Sequence, residues 1–266
     1  MKKFILSATL AMALIACYRN PITGRSQLSL VSDNEMNSMA LTQYSQFLSS
    51  SKVIPANGNS NAAMVKRVSD RLTSSITQYY ANHGLSNELA GYHWETNLVE
   101  SKDVNAWCMP GGKIVVYTGL LPITQNETAL AIVMGHEIAH ALAKHGSERM
   151  SEGLIQQMGG VALQAALSDK PAQTQSIFLS AYGVGSQLGV SLPHSRKHEL
   201  EADKLGLMFA AIAGYDPREA VPFWKRMAAG GGQKPPEFLS THPSDETRIA
   251  QIEALLPETM KFYTGK

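Results

Sequence analysis

Residues 136–140 read His-Glu-Ile-Ala-His inside an apolar, helix-forming run from Thr128 to Lys144. That run constrains the fold more than any other stretch, since it makes a buried helix that carries two imidazoles on one side. Residues four apart share a helix face, so His136 and His140 can close on one metal ion. Glu137, beside them, is placed to take a proton from a water at that metal. The rest of the chain has to supply a third ligand, a substrate site and a compartment.

The chain has 266 residues, 44% of them hydrophobic, and a formal net charge of +1. There is ample material for a core, and no charge excess that would point to nucleic acid or a strongly acidic partner. Lys2 and Lys3 precede an apolar run from Phe4 to Ala16, and Leu14-Ile15-Ala16-Cys17 resembles a bacterial lipobox. The expected organisation is a signal peptide over 1–16, a lipidated tether over 17–31 held through Cys17, and one domain over 32–266. Such a chain would be a periplasm-facing, lipid-anchored protein of the bacterial cell envelope, and Tyr18 after Cys17 leans towards the outer membrane. With Cys17 lipidated, Cys108 has no partner, so the fold rests on its core and Cys108 reads as a half-buried structural thiol.

Ser32-x-x-Glu35 is a capping-box pattern that opens a helix to about Leu48. Met64, Val65, Val68, Leu72 and Ile76 form the stripe of a second helix, Asn61 to Tyr80. From Gly91 the period changes. Tyr92–Val99, Val104–Met109 and Lys113–Tyr117 read as strands of a small, mostly antiparallel sheet, with Pro110-Gly111-Gly112 as a turn. Thr124-x-x-Glu127 caps the helix of residues 136–140, which ends near Lys144-His145-Gly146. Residues 147–192 read as two helices split near Asp169-Lys170-Pro171, the second serving as ordinary packing or a lid.

The helix opening at Ser195 brings Glu199 and Asp203 onto one face. Glu199 can complete a His-His-Glu site and leave a fourth position open, while Asp203, one turn on, can hold the outer nitrogen of a ligand histidine. Glu201 points elsewhere on that helix, and the partnership with Asp203 favours Glu199.

Several segments occur in a telling order: Asn105-Ala106 with Pro110-Gly111-Gly112 and Gly119-Leu120-Leu121, His136-Glu137-x-x-His140, Ser195-Arg196 with Glu199-x-x-Ala202-Asp203, and Thr241-His242-Pro243 with Arg248-Ile249. Over roughly Val104 to Leu256 the chain resembles the gluzincin metallopeptidase family of the CAAX prenyl proteases, HtpX, the bacterial periplasmic proteases LoiP and BepA, and the mitochondrial Oma-type proteases. The likeness is nearest to the bacterial lipoprotein and periplasmic members. It implies an α+β, mainly helical, zincin-like domain with one zinc ion per chain on His136, His140 and Glu199, and Glu137 as general base. It also implies that Asn105 and Ala106 lie on a strand edge where an extended substrate adds as another strand. His242 has three open roles: oxyanion stabilisation, an inhibitory fourth ligand, or a helix cap. His145, His194 and His198 read as non-ligands, and Arg196 and Arg248 as either site or structural cations. The expected activity is endoproteolysis of unfolded or misassembled envelope proteins, with envelope assembly partners or a homo-oligomer in view and no nucleic acid. The alternative is a latent, chaperone-like lipoprotein plugged by His242.

Overall fold

The Ser32 hydroxyl accepts from Glu35 N, and the Glu35 carboxylate reaches back to Ser32 N, the reciprocal capping that opens helix α1 (Asp33–Ser49). This is a computed structural model that describes residues 17–158, 171–182, 195–229, 238–239, 242 and 246–265. Asn59 caps α2 (Ser60–Asn82), whose Val65, Val68, Leu72 and Ile76 are buried as the stripe requires.

A four-stranded sheet comprises β3 (Val53–Ile54), β4 (Glu95–Val99), β5 (Ala106–Met109) and β6 (Lys113–Tyr117), in the order β3-β4-β6-β5. Two of its three pairings are antiparallel, and β4 runs parallel to β6 with Glu95 opposite Lys113. Gly111 and Gly112 turn the chain from β5 into β6 at φ values of 73° and 78°, which favour glycine. Both faces of the sheet are buried. Ala106, Cys108, Ile114 and Val116 pack towards α2 and the helix of residues 136–140, while Trp107, Met109, Val115 and Tyr117 pack with α1 residues Met36, Ala40 and Tyr44. Cys108 is buried, not half-buried, and burial pushes its thiol well up, so it is a packing residue.

The central helix, α3 (Glu127–Leu142), is buried continuously from Ala129 to Leu142. Its cap is Asn126, which accepts from Ala129 N, and not Thr124. Thr124 instead closes a single helical turn, Leu121–Thr124, after which Gln125 breaks the path at φ 63°. The other end also differs from expectation. Lys144 takes the left-handed turn at φ 57°, and α4 (His145–Met158) begins directly after it. Gly146 is therefore no terminator; it lies inside α4, where a Cβ would meet the Tyr182 ring at 2.1 Å.

Further on come α5 (Pro171–Ala181), α6 (Arg196–Ile212), α7 (Ala220–Ala229) after a 3-10 turn capped by Asp216, and α8 (Glu246–Thr259). The expected signal peptide, the end of the second helix expected within 147–192, His194, Thr241 and Pro243 lie outside the described residues. Among those described, no helix is long and apolar enough to cross a membrane.

The stretch expected as a tether is structured. β1 (Cys17–Arg19) and β2 (Ser26–Leu28) form an antiparallel hairpin with Cys17 opposite Leu28. Its turn is tied by the Asn20 side chain, which accepts from Ile22 N and Thr23 N and donates to Leu142 O at the end of α3. The turn signals near Asn20 and Gly24 thus close a docked hairpin instead of marking a loose linker.

Candidate active site

Helices α3 and α6 carry the site, and two glycines let them touch. A Cβ on Gly206 would lie 2.7 Å from His136 N, and one on Gly135 would lie 2.9 Å from Gly206 O. Both obstacles are backbone, which cannot swing aside as a flexible side chain would. Glu199, Asp203 and Gly206 share one face of α6 by their spacing, so this crossing presents the two carboxylates to His136 and His140. We expect Gly206→Ala to destabilise the protein by about 1–3 kcal/mol through overpacking and to weaken metal binding by moving Glu199 off the histidines. Thermal unfolding and chelator competition check this; an alanine variant that matches wild type in both would show that the crossing has slack.

Four buried groups converge: His136, His140, Glu199 and His242, with ligand atoms all within 4.8 Å of one another. His136 Nε2 lies 3.0 Å from His140 Nε2, 3.2 Å from His242 Nδ1 and 3.5 Å from Glu199 Oε2. Glu199 Oε1 lies 3.3 Å from His140 Nε2 and 3.0 Å from His242 Nδ1. A tetrahedral zinc ion with bonds of about 2.0–2.1 Å spaces its ligand atoms about 3.3 Å apart, so the donor set fits zinc in both chemistry and separation.

The surrounding groups orient these donors. Asp203 Oδ1 lies 3.0 Å from His136 Nδ1, on the side away from the other ligand atoms. Arg248 holds both Asp203 oxygens at 2.8 and 2.9 Å, reaches Glu199 Oε2 at 2.8 Å, and stacks 3.7 Å over the Trp224 ring. Burial alone would raise the Asp203 and Glu199 carboxyls; Arg248 and the histidines outweigh it and hold both below their ordinary values. Burial likewise lowers His136, but Asp203 and Glu199 reverse that and lift it to about 9, whereas burial keeps His140 well below its usual value. A metal ion arriving below that pH has to displace a proton from His136.

Glu137 is buried, and its Oε1 has no hydrogen-bond partner among the described residues; His242 Nε2 lies 3.5 Å from it. Burial pushes its carboxyl up, opposed by His242 and His136. Ala106 opens the edge strand β5, Asn105 immediately precedes it, and both are buried. Asn105 O accepts from Tyr117 N on β6, while Asn105 Oδ1 accepts Ala106 N. Just upstream, Val104 O accepts from Phe238 N, and the Phe238 ring stacks on His242 at 4.4 Å. So the segment that brings in His242 also engages this strand edge.

His145 and His198 do not join the donor group, yet they are not remote. His145 Nδ1 lies 2.8 Å from His140 Nδ1, and His198 is stacked on the His145 ring at 4.3 Å. Their carboxylate partners, Glu201 and Glu148, both bind Arg25 of the N-terminal hairpin. Sequence reading missed Arg25, the role of His145 and the glycine pair. Only His145 left a trace, as a histidine one turn past His140. Arg196 is exposed, and Arg248 alone of the two arginines enters the site.

The sequence pattern of peptidase family M48 matches residues 66–256. The mitochondrial metalloendopeptidase OMA1 of Schizosaccharomyces pombe is 34% identical over 90% of this chain and 66% of its own length. The OMA1 protein of Arabidopsis thaliana is 39% identical over 68% of this chain and 36% of its own. The beta-barrel assembly-enhancing protease of Yersinia pestis is 31% identical over 58% of this chain and 32% of its own. The chain thus spans between about a third and two thirds of these relatives. The expectation of a bacterial, lipid-anchored, outer-membrane protein is corrected by this: relatives aligned over nine-tenths of the chain are mitochondrial, and the bacterial ones cover less. That expectation rested on a few residues around Cys17, a short targeting-like pattern read from local sequence alone. A match over most of the chain, with the two glycine-locked helices and their buried His-His-Glu cluster inside it, places this protein in peptidase family M48.

Proposed function

We propose that the chain is a zinc-dependent endopeptidase in which His136, His140 and Glu199 hold one zinc ion and Glu137 is the general base. The observation that carries this is the closure of three buried donors to 3.0–3.5 Å beside a carboxylate oxygen that has no hydrogen-bond partner among the described residues. A zinc ion held by His136, His140 and Glu199 would supply Lewis acidity for the scissile carbonyl and for a water. Glu137 is placed to take a proton from the attacking water and pass it to the leaving amine, a task suited to a carboxyl raised by burial. Asp203 orients His136 from behind, and Arg248 keeps Asp203 ionised. The substrate is a polypeptide in extended form, laid along the edge of β5 at Asn105 and Ala106. An unfolded or misassembled protein offers such a segment, which agrees with one bacterial relative being named for β-barrel assembly.

A second reading is favoured by a specific contact. His242 Nδ1 stands in the donor group, and Phe238 N occupies Val104 O on the strand edge. In that reading the arrangement is latent, with His242 as fourth ligand and its segment where substrate would pair. One experiment separates them: zinc content and casein cleavage for wild type and His242→Ala. Wild type should carry one zinc and lose cleavage on chelation. Raised cleavage in the variant establishes the latent arrangement, and lost cleavage with zinc retained gives His242 a role in the reaction. A wild type without stoichiometric zinc defeats both.

A further inference from the structure

His140 turns Nε2 towards the donor group, so Nδ1 is its outer nitrogen, and what holds Nδ1 sets the tautomer and angle of the ring. For His136 the group facing that nitrogen is the carboxylate of Asp203, 3.0 Å away. For His140 it is another imidazole, His145 Nδ1 at 2.8 Å. Two facing ring nitrogens make a hydrogen bond only when one carries the hydrogen and the other does not. With the His140 Nε2 lone pair turned towards the donor group, His140 Nδ1–H donates to His145 Nδ1. The hydrogen of His145 is then on Nε2, which donates to Glu201 Oε2 at 3.0 Å. Glu201 in turn accepts from Arg25 Nε at 2.9 and 3.0 Å. The remaining guanidinium nitrogens of Arg25 donate to both oxygens of Glu148 at 2.8 and 2.6 Å, and His198 Nε2 meets Glu148 at 2.9 Å while its ring lies flat against His145. Every bond in the path has one self-consistent direction, and it ends on a cation in the N-terminal hairpin. His145 itself is fully buried and sits one residue past the left-handed turn at Lys144, whose carbonyl the hairpin's Gln27 side chain meets at 3.4 Å.

We infer that Arg25, Glu201 and His145 are positioning residues for His140, so that the N-terminal hairpin is a working part of the metal site and not an appendage to it. The inference rests on the proposed zinc site, and deepens it. The hairpin fixes the tautomer of one ligand, while α6 fixes that of the other through Asp203. Because the outer nitrogen of His140 is linked to Glu201 through the His145 ring, it is the ligand most exposed to events at the hairpin. Undocking β1 and β2 would remove the guanidinium that holds Glu201 in place.

The test is zinc affinity by chelator competition, with thermal unfolding of the zinc-free protein measured alongside. His145→Leu, which ends the relay, should weaken zinc binding by about 10–100-fold, the usual effect of losing a partner behind a ligand. His145→Asn places an acceptor oxygen where Nδ1 stood and should recover most of that loss, which a merely space-filling role would not do. Arg25→Met should shift affinity in the same direction by less, and Glu201→Gln, which keeps the shape, provides a variant that folds if Arg25→Met does not. Zinc binding by His145→Leu and Glu201→Gln within about twofold of wild type, while Glu199→Gln loses its zinc, overturns the relay and leaves the site standing. A loss in His145→Leu with none in Arg25→Met or Glu201→Gln removes the hairpin from the device. Should Glu199→Gln keep its zinc, the site itself is misassigned and the relay falls with it.

Discussion

Glu137→Gln should retain one zinc per chain and lose cleavage by about 10²–10⁴-fold, the range of a general base. None of the four converging ligand groups belongs to Glu137, so an amide of the same shape leaves the metal site whole. What it removes is the acceptor. An amide cannot take a proton from water, and with the donor group intact the loss should fall on kcat more than on KM. The variant should also be at least as stable as wild type. Burial raises the Glu137 carboxyl, so above the ordinary carboxylate range this group costs the folded protein stability, and the neutral amide removes that cost. A more stable, zinc-loaded, inactive protein is the expected combination. Metal analysis, a casein assay and thermal unfolding on one preparation check all three; cleavage above about a tenth of wild type would remove Glu137 from the proton's path.

The parts of this site readable from sequence are those in which function and helix period coincide. His136 with His140 and Glu199 with Asp203 are each four apart, and that spacing alone places each pair on one face. The capping box at Ser32 and the stripe of α2 were legible for the same reason, since their signals are local. What escaped is non-local. Gly135 and Gly206 are unremarkable glycines until two helices are brought within van der Waals contact, and no periodicity announces a crossing point. Arg25 lies 176 residues from Glu201 and 123 from Glu148, in a stretch whose turn residues fit a linker as well as a hairpin. The cap of α3 was misplaced because Thr124-x-x-Glu127 matches the box pattern, whereas the left-handed Gln125 hands the cap to Asn126. Arg248 was visible as a charge near His242, but its burial between two carboxylates and an indole was not.

That burial makes Arg248→Ala the most destabilising change we expect, about 3–5 kcal/mol in the zinc-free protein, the effect of stranding a buried counter-charge. Arg248 is 5% exposed, and its fork spans Asp203 and Glu199, which are 4% exposed. Without it two buried carboxylates lose the guanidinium that spans them, and for a chain of this size the melting temperature should fall by roughly 6–20 °C. Zinc changes the balance, since a bound dication neutralises Glu199 but not Asp203. The gap in melting temperature between loaded and stripped protein should therefore be wider in the variant than in wild type. The pH response has a definite sign as well. Arg248 depresses the Asp203 carboxyl, so its stabilising contribution is present at neutral pH and is lost only as the pH falls through that lowered value. In the variant burial prevails, Asp203 takes up its proton at higher pH, and the acid limb of stability moves upward. Arg248→Lys should rescue only part, because an ammonium cannot hold both Asp203 oxygens and reach Glu199 at once. A stripped Arg248→Ala protein that melts within about 1 °C of wild type would mean that the two carboxylates are not held ionised by this guanidinium.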